Sequence, residues 1–179
     1  MLRVIPTRLR VLASGCALAL AACGGVSERE PPAGEPSFYR SLAAPGAELD
    51  ATAAVSMISG YRQNNGLSTL TLDPKLMQMA QEQAHSMAVR NKLDHNVNRP
   101  FSERITRSGF DAKVAAENIS AGYHTVAEAF SGWRDSPPHN ANLLLKGATR
   151  MGIAAVYTPS SKYKVFWTLI LAAPDDKSS

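Results

Sequence analysis

The chain has 179 residues, with 19 lysines and arginines against 15 aspartates and glutamates, a net charge of +4. Three of these arginines lie in the first 22 residues, which have the pattern of a removable targeting segment, and the rest carries 16 basic and 15 acidic residues, a net charge of +1. This balance excludes a protein whose charge is built for nucleic-acid binding, and the remaining length suffices for one domain with its own core.

Residues 1–22 are predicted to be a lipoprotein signal peptide. Arginines open the segment, and the apolar stretch "VLASGCALALAA" that follows is too short for a stable membrane span. It ends in "LAAC", which resembles the lipobox of bacterial lipoproteins. That resemblance implies that Cys23 becomes the first residue of the mature chain and carries the lipid. The alternative is a soluble secretory signal cut after an A-x-A-like site.

A lipidated Cys23 implies a location in the bacterial cell envelope, anchored to a membrane on its extracytoplasmic side, and Gly24 after it favours the outer membrane in a Gram-negative cell. The only other cysteine, Cys16, is lost with the signal peptide. No disulfide is then available, so stability must come from a packed core. We expect a monomer.

Residues 23–48 form a predicted flexible tether, because Gly, Pro, Ser and Glu dominate and few apolar residues could be buried. A coil of this length spans about 25–30 Å. Residues 49–174 form the predicted domain, and residues 175–179 a disordered tail.

The domain begins with helical patterns. One starts near Asp50 and stops at "NNG", and a second starts with Asp73 as N-cap and Pro74 in the first turn. Its apolar residues share one arc, with His85 on the opposite arc facing solvent. "PFSERITRSGF" predicts a short helical turn, and "AAENISAGY" an extended segment.

A later helix, in "HTVAEAFSGWRDSPP", begins with a capping box formed by Thr125 and Glu128, and Trp133 lies on its apolar stripe. "TRMGIAAVYT" and "YKVFWTLILAA" then predict two antiparallel strands joined by the turn "PSSK", the second buried on both faces. Helices first and strands late predict an α+β fold.

The candidate functional residues are His95 in "LDHN", Glu117 in "AENIS" and His139 in "SPPHNANLL". Each lies at a helix end or in a short connection, where functional residues concentrate. Two neutral histidines and a carboxylate could bind a divalent metal such as zinc, although their spacing alone does not require it. For His139 the alternative is a turn residue that bonds nearby backbone.

The segment around His139 predicts a helix with Pro138 in its first position, running to Lys146 and capped by Gly147. His139 then lies at the positive end of the helix dipole, which favours the neutral imidazole. Neutral imidazole is the form that binds a metal or accepts a proton.

"LDHN", "AENISAGYHTVAEAFSGWRDSPPHNANLL" and "RMGIAAVY", in this order, resemble the CAP superfamily, or SCP domain, over about residues 50–173. The resemblance implies a three-layer α-β-α sandwich with a small, largely antiparallel central sheet. It also implies a central cleft lined by His95, Glu117 and His139. The family's second cleft acid corresponds to Ser136, which departs from the pattern.

The resemblance implies a binding or interaction module of the cell envelope whose ligand is a lipid or an envelope component. The alternative is a hydrolase, a peptidase or esterase. Such an enzyme could use a metal-bound water held by His95 and His139 with Glu117 as base, or a Ser136–His139 pair assisted by Glu117.

Overall fold

The computed structural model describes residue 34 and residues 36–175. The predicted signal peptide, Cys23, residues 24–33 and 35 of the predicted tether, and residues 176–179 lie outside this part of the chain. Within residues 36–175, no helix combines the length and the apolar character that a membrane crossing requires. The helices are α1 (Ala51–Asn64), α2 (Pro74–Arg90), α3 (Phe101–Ser108), α4 (Val126–Asp135) and α5 (Pro137–Leu143), and the strands are β1 (Thr71–Leu72), β2 (Ala112–Ala121), β3 (Arg150–Tyr157) and β4 (Val165–Pro174).

The predicted helix starts of α2 and α4 are confirmed by their capping contacts. The Asp73 carboxylate accepts from the backbone N–H groups of Lys75 and Leu76, and Pro74 occupies the first turn. Thr125 and Glu128 form the reciprocal capping box of α4. Each contact satisfies backbone donors that the first helical turn leaves free, so the local sequence alone fixes these helix starts.

Helix α5 differs from its prediction at both ends. It begins at Pro137 with Ser136 as N-cap, and it ends at Leu143 rather than Lys146. The guanidinium of the buried Arg62 accounts for the early end, because it donates to the backbone carbonyls of Leu143 and Leu145 at 2.9 and 3.0 Å. Gly147 adopts a left-handed φ of 79°, but in the turn that leads to β3 and not as the helix cap.

The four strands form one sheet in the order β1-β3-β4-β2. The predicted β3–β4 hairpin is confirmed, and β2 pairs antiparallel with β4 along the other side. The short strand β1, which the sequence analysis did not predict, pairs parallel with β3. The sheet is therefore small and largely antiparallel, and β2 forms one of its edges.

Strand β4 is buried on both faces, as predicted, and its alternating side chains divide the core into two layers. Trp167, Leu169 and Leu171 pack with α1, α4 and α5 in one cluster, which includes Trp133. Ile170 and Ala172 pack with α2 and α3 on the opposite face. Helices on both faces of one sheet make the three-layer α+β sandwich that the sequence predicted.

Candidate functional site

Glu117 lies on the edge strand β2 and points toward the α2/α3 layer, where it meets Arg104 of α3. Two charge-assisted hydrogen bonds join them, Arg104 Nη1 to Glu117 Oε2 at 2.7 Å and Arg104 Nη2 to Glu117 Oε1 at 2.8 Å. The side chains are 8% and 2% exposed. Such a bidentate pair fixes the planes of the guanidinium and the carboxylate relative to each other. It also compensates the free energy that burying an unpaired carboxylate would cost.

His95 is attached to the same carboxylate. Its Nδ1 lies 2.8 Å from Glu117 Oε1, and its backbone carbonyl accepts a hydrogen bond from Arg104 Nη2 at 3.1 Å. The carboxylate only accepts, so Nδ1 carries the proton and the lone pair of a neutral imidazole lies on Nε2. With its side chain 46% exposed, His95 presents Nε2 for contact with an outside partner.

His139 lies in the first turn of α5, as predicted. Its Nδ1 is 2.9 Å from the hydroxyl oxygen of Ser136, and the ring is half-buried. Burial, and then repulsion from His95, lower the pKa of His139. The sequence analysis predicted this direction from the helix dipole, whereas loss of solvent contributes most in the folded chain.

Two asparagines connect α5 to β2. Asn118 Nδ2 donates to the backbone carbonyl of His139 at 3.0 Å, and Asn142 Nδ2 donates to Asn118 Oδ1 at 2.9 Å and to the Glu117 carbonyl at 3.1 Å. These bonds fix the helix that carries His139 against the strand that carries Glu117. We call His95, Glu117 and His139, with Arg104 and Ser136, the His/Glu cluster.

The His/Glu cluster does not fit the metal hypothesis well. Within residues 36–175, no three histidine, cysteine or acidic side chains are grouped so that they could hold a metal ion. Glu117 is the only oxygen ligand that was predicted, and both of its carboxylate oxygens already accept hydrogen bonds from Arg104 or His95. A metal would have to displace a buried guanidinium from this carboxylate.

The arrangement also separates the parts of a serine hydrolase. Ser136 and His139 are in contact, as a nucleophile and its base would be. The carboxylate of Glu117, however, orients His95, whereas a catalytic triad needs it on the histidine that contacts the serine. The adjacent Asp135 forms an ion pair with Arg134 at the exposed surface.

Sequence reasoning missed Arg104, Asn118 and Asn142. The signal for Arg104 was its spacing of three residues from Phe101, which places a cation on the apolar side of a short helix. In the folded chain the guanidinium indeed lies 5.3 Å from the centre of the Phe101 ring. Nothing comparable marks the asparagines, whose partners are distant in sequence.

The α+β sandwich and the histidine–glutamate cluster at the edge of its sheet are the features that the sequence resemblance implied for a CAP domain. The chain belongs to the cysteine-rich secretory protein (CAP) family, whose family model matches residues 55–171. The resemblance seen in the sequence is thereby confirmed. No curated protein shows a significant sequence match to this chain.

Solved structures share the fold. An outer surface protein of Borrelia burgdorferi is 18% identical with a TM-score of 0.64, over 70% of this chain and 93% of that one. An extracellular Bacillus anthracis protein that contains an SCP domain is 22% identical with a TM-score of 0.60, over 68% of this chain. The match spans only 39% of the Bacillus protein's length. A Staphylococcus aureus cysteine-rich secretory protein is 16% identical with a TM-score of 0.53, over 68% of this chain and 37% of that one.

Proposed function

We propose that this chain is a lipid-anchored binding module of the bacterial cell envelope, and that its ligand, a lipid or an envelope component, contacts the His/Glu cluster. The observation that carries this proposal is the saturation of Glu117 by Arg104 and His95. A carboxylate held in this way orients the His95 ring and is committed to contacts within the fold. The groups left for a ligand are the Nε2 atoms of His95 and His139, because each Nδ1 is already engaged.

Three features support binding without turnover. The metal hypothesis lacks a free carboxylate ligand, and Ser136 stands where the CAP family has its second cleft acid. The cluster is also braced by the hydrogen bonds of Asn118 and Asn142, so its side chains are held in place before a ligand arrives. Preorganisation of this kind reduces the entropy lost on binding.

The proposed anchor follows from "LAAC" and from the tether. Leu42 is already packed in the core of the domain, so a coil over residues 23–36 would hold the domain about 20 Å from the membrane surface. Surface and extracellular proteins among the structural neighbours fit the same address. Replacing Cys23 by Ala should release the chain from membranes into the soluble extracytoplasmic fraction, and unchanged membrane fractionation would contradict the anchor.

The binding role is tested with isolated envelope fragments of the producing cells. The chain is first released from its proposed anchor by Cys23→Ala, and its co-sedimentation should then be lost when His95→Ala/His139→Ala is added, because both outward imidazoles are removed. The matched control is His85→Ala, an exposed histidine of α2. Repeating the assay with lipid-extracted fragments separates a lipid ligand from another envelope component. Equal sedimentation of the double variant and the control would refute this role.

A Ser/His hydrolase is the second candidate, and the 2.9 Å contact between Ser136 and His139 is the observation in its favour. The test is hydrolysis of a panel of esters and peptides by the full chain and by Ser136→Ala. Turnover that disappears in the serine variant would establish this candidate. Zinc measured in protein purified without chelator, before and after reconstitution, tests the metal-dependent version, which fails if His95→Ala and His139→Ala bind as much as the unaltered chain.

A further inference from the structure

A second site lies between α2 and α3, beside the His/Glu cluster, with which it shares Arg104. A cavity of about 310 Å³ opens there, and we call it the α2/α3 cavity. Its volume is that of a site for one small molecule. Its lining includes Lys75, Glu82, Gln83, Arg99, Arg104 and Arg107.

The lining of the α2/α3 cavity is basic, with four cationic side chains and one acidic one. Two of the cations are neutralised by close carboxylates, because Arg104 binds Glu117 and Arg99 lies 2.7 Å from Glu103. Arg107 is different. Its nearest carboxylate oxygen, on Glu103, is 3.9 Å away, and its side chain is 64% exposed.

Lys75 adds a second charge at the same cavity. Its Nζ donates to the neutral backbone carbonyl of Gly109 at 2.6 Å, and it forms no ion pair with a carboxylate in the described part of the chain. Lys75 and Arg107 together therefore attract an anion to a site that is already concave. An exposed guanidinium can grip a carboxylate or phosphate with two parallel hydrogen bonds.

The buried wall of the cavity contains a hydrogen-bond acceptor that a ligand could satisfy. Gln83 is 1% exposed, and its Nε2 donates to the backbone carbonyls of Asp94 and His95 at 2.9 and 3.3 Å. Both partners are acceptors, so the amide cannot be flipped. Its Oε1 is buried and has no hydrogen-bond partner among residues 36–175. A buried acceptor of this kind is normally satisfied, and a donor held in the cavity would do so.

We propose that the α2/α3 cavity binds a small hydroxylated carboxylate of the acidic-sugar class. The carboxylate meets Arg107 and Lys75 at the mouth, and a hydroxyl donates to Gln83 Oε1 at the buried wall. Glu82, also in the lining, accepts from a further hydroxyl. A simple anion would contact only Arg107 and Lys75 at the mouth, and a neutral sugar would contact only the polar groups of the wall. Neither would therefore bind both parts of the cavity.

Calorimetric titration of the full chain with glucuronate tests this site. Glucose and acetate serve as probes that each lack one half of the ligand chemistry, and inorganic phosphate as a compact anion. We expect glucuronate to bind at least about tenfold more tightly than any of the three, since one charge-assisted hydrogen bond contributes about that factor. Equal affinity for acetate or phosphate overturns the sugar, and equal affinity for glucose overturns the anion site.

Arg107→Gln should weaken glucuronate binding about tenfold, because it removes the charge and the paired donors. Its weak contact with Glu103 makes a folding defect small. Lys146→Gln removes an exposed charge outside the cavity and should leave the affinity unchanged. His95→Ala/His139→Ala should also retain glucuronate binding. Loss of binding in that variant, or unchanged affinity in Arg107→Gln, would place the ligand elsewhere.

Discussion

Arg104 Nη2 donates to two residues at once, to Glu117 Oε1 at 2.8 Å and to the backbone carbonyl of His95 at 3.1 Å. One guanidinium therefore fixes the carboxylate that orients the His95 ring and also the backbone from which that ring projects. The geometry of His95 therefore depends on Arg104, whose side chain is only 8% exposed and lines the α2/α3 cavity. This dependence makes Arg104 a positioning residue of the His/Glu cluster.

Replacing Arg104 by Met should destabilise the domain by about 3–5 kcal/mol, because it leaves the buried Glu117 carboxylate without its partner. The free energy of unfolding in urea measures this loss. Arg104→Met/Glu117→Gln should recover much of it, since no unpaired charge remains. Glu103→Gln, which removes an exposed ion pair, is the control and should cost less than about 1 kcal/mol. A loss for Arg104→Met no larger than the control's would contradict the buried pair.

Arg62 should resist exchange for lysine although the charge is kept. Its fully buried guanidinium donates to four carbonyls, and burial lowers its pKa. Lysine has three donors and no planar fork, so we expect Arg62→Lys to cost about 2 kcal/mol in thermal unfolding. The acceptors are the carbonyl oxygens of Ser68, Leu143, Leu145 and Ala148. Arg134→Lys at the surface should leave the melting temperature unchanged, and equal effects of the two changes would refute the role.

Protonation of His139 should oppose folding. Its pKa is lowered in the folded chain, so the unfolded chain binds the proton more readily, and stability falls as the pH drops below about 6.5. The contribution of the neutral His139 to the free energy of unfolding is fully present above that pH. As the pH decreases, this contribution falls until the folded chain also takes up the proton. The free energy of unfolding should therefore vary less with pH in His139→Gln. The exposed His85→Gln should retain the slope of the unaltered chain, and an unchanged slope in His139→Gln would contradict this assignment.

Two glycines should respond to alanine in opposite directions. A Cβ on Gly152 of β3 would overlap the backbone carbonyl of Leu76, so Gly152→Ala should destabilise by about 1–3 kcal/mol or separate α2 from the sheet. Gly60 lies inside α1 with open space around it, so Gly60→Ala should stabilise by about 0.5–1 kcal/mol. Urea unfolding of both variants checks the signs, and a stable Gly152→Ala variant would contradict the close approach.

The elements set by local rules could be predicted. Asp73, Thr125 and Glu128 start helices through contacts within four residues, and the apolar runs of β3 and β4, joined by a short turn, predict a hairpin from their own pattern. The fold class followed from the order of these elements. The extents of β1 and β2 could not be predicted in this way. The two residues of β1, for example, form a strand only because they pair with Arg150 and Met151, far along the chain.

The same division applies to the His/Glu cluster. Sequence and family resemblance predicted His95, Glu117 and His139 as site residues, and the structure brings His95 and Glu117 into direct contact. Their partners could not be predicted, since Arg104 reaches Glu117 across 13 residues and Asn142 reaches it across 25. The end of α5 was wrong for a similar reason, because the residue that terminates it, Arg62, belongs to α1.

Strand β4 also sets the order in which the molecule can fold. Its two faces supply apolar partners for both helical layers, yet it follows all five helices along the chain. Until residues 165–174 are available, the helices have no shared surface to cover, and pairing of β4 with the distant β2 must wait as well. A chain stopped before Val165 is therefore expected to remain unfolded and sensitive to proteases.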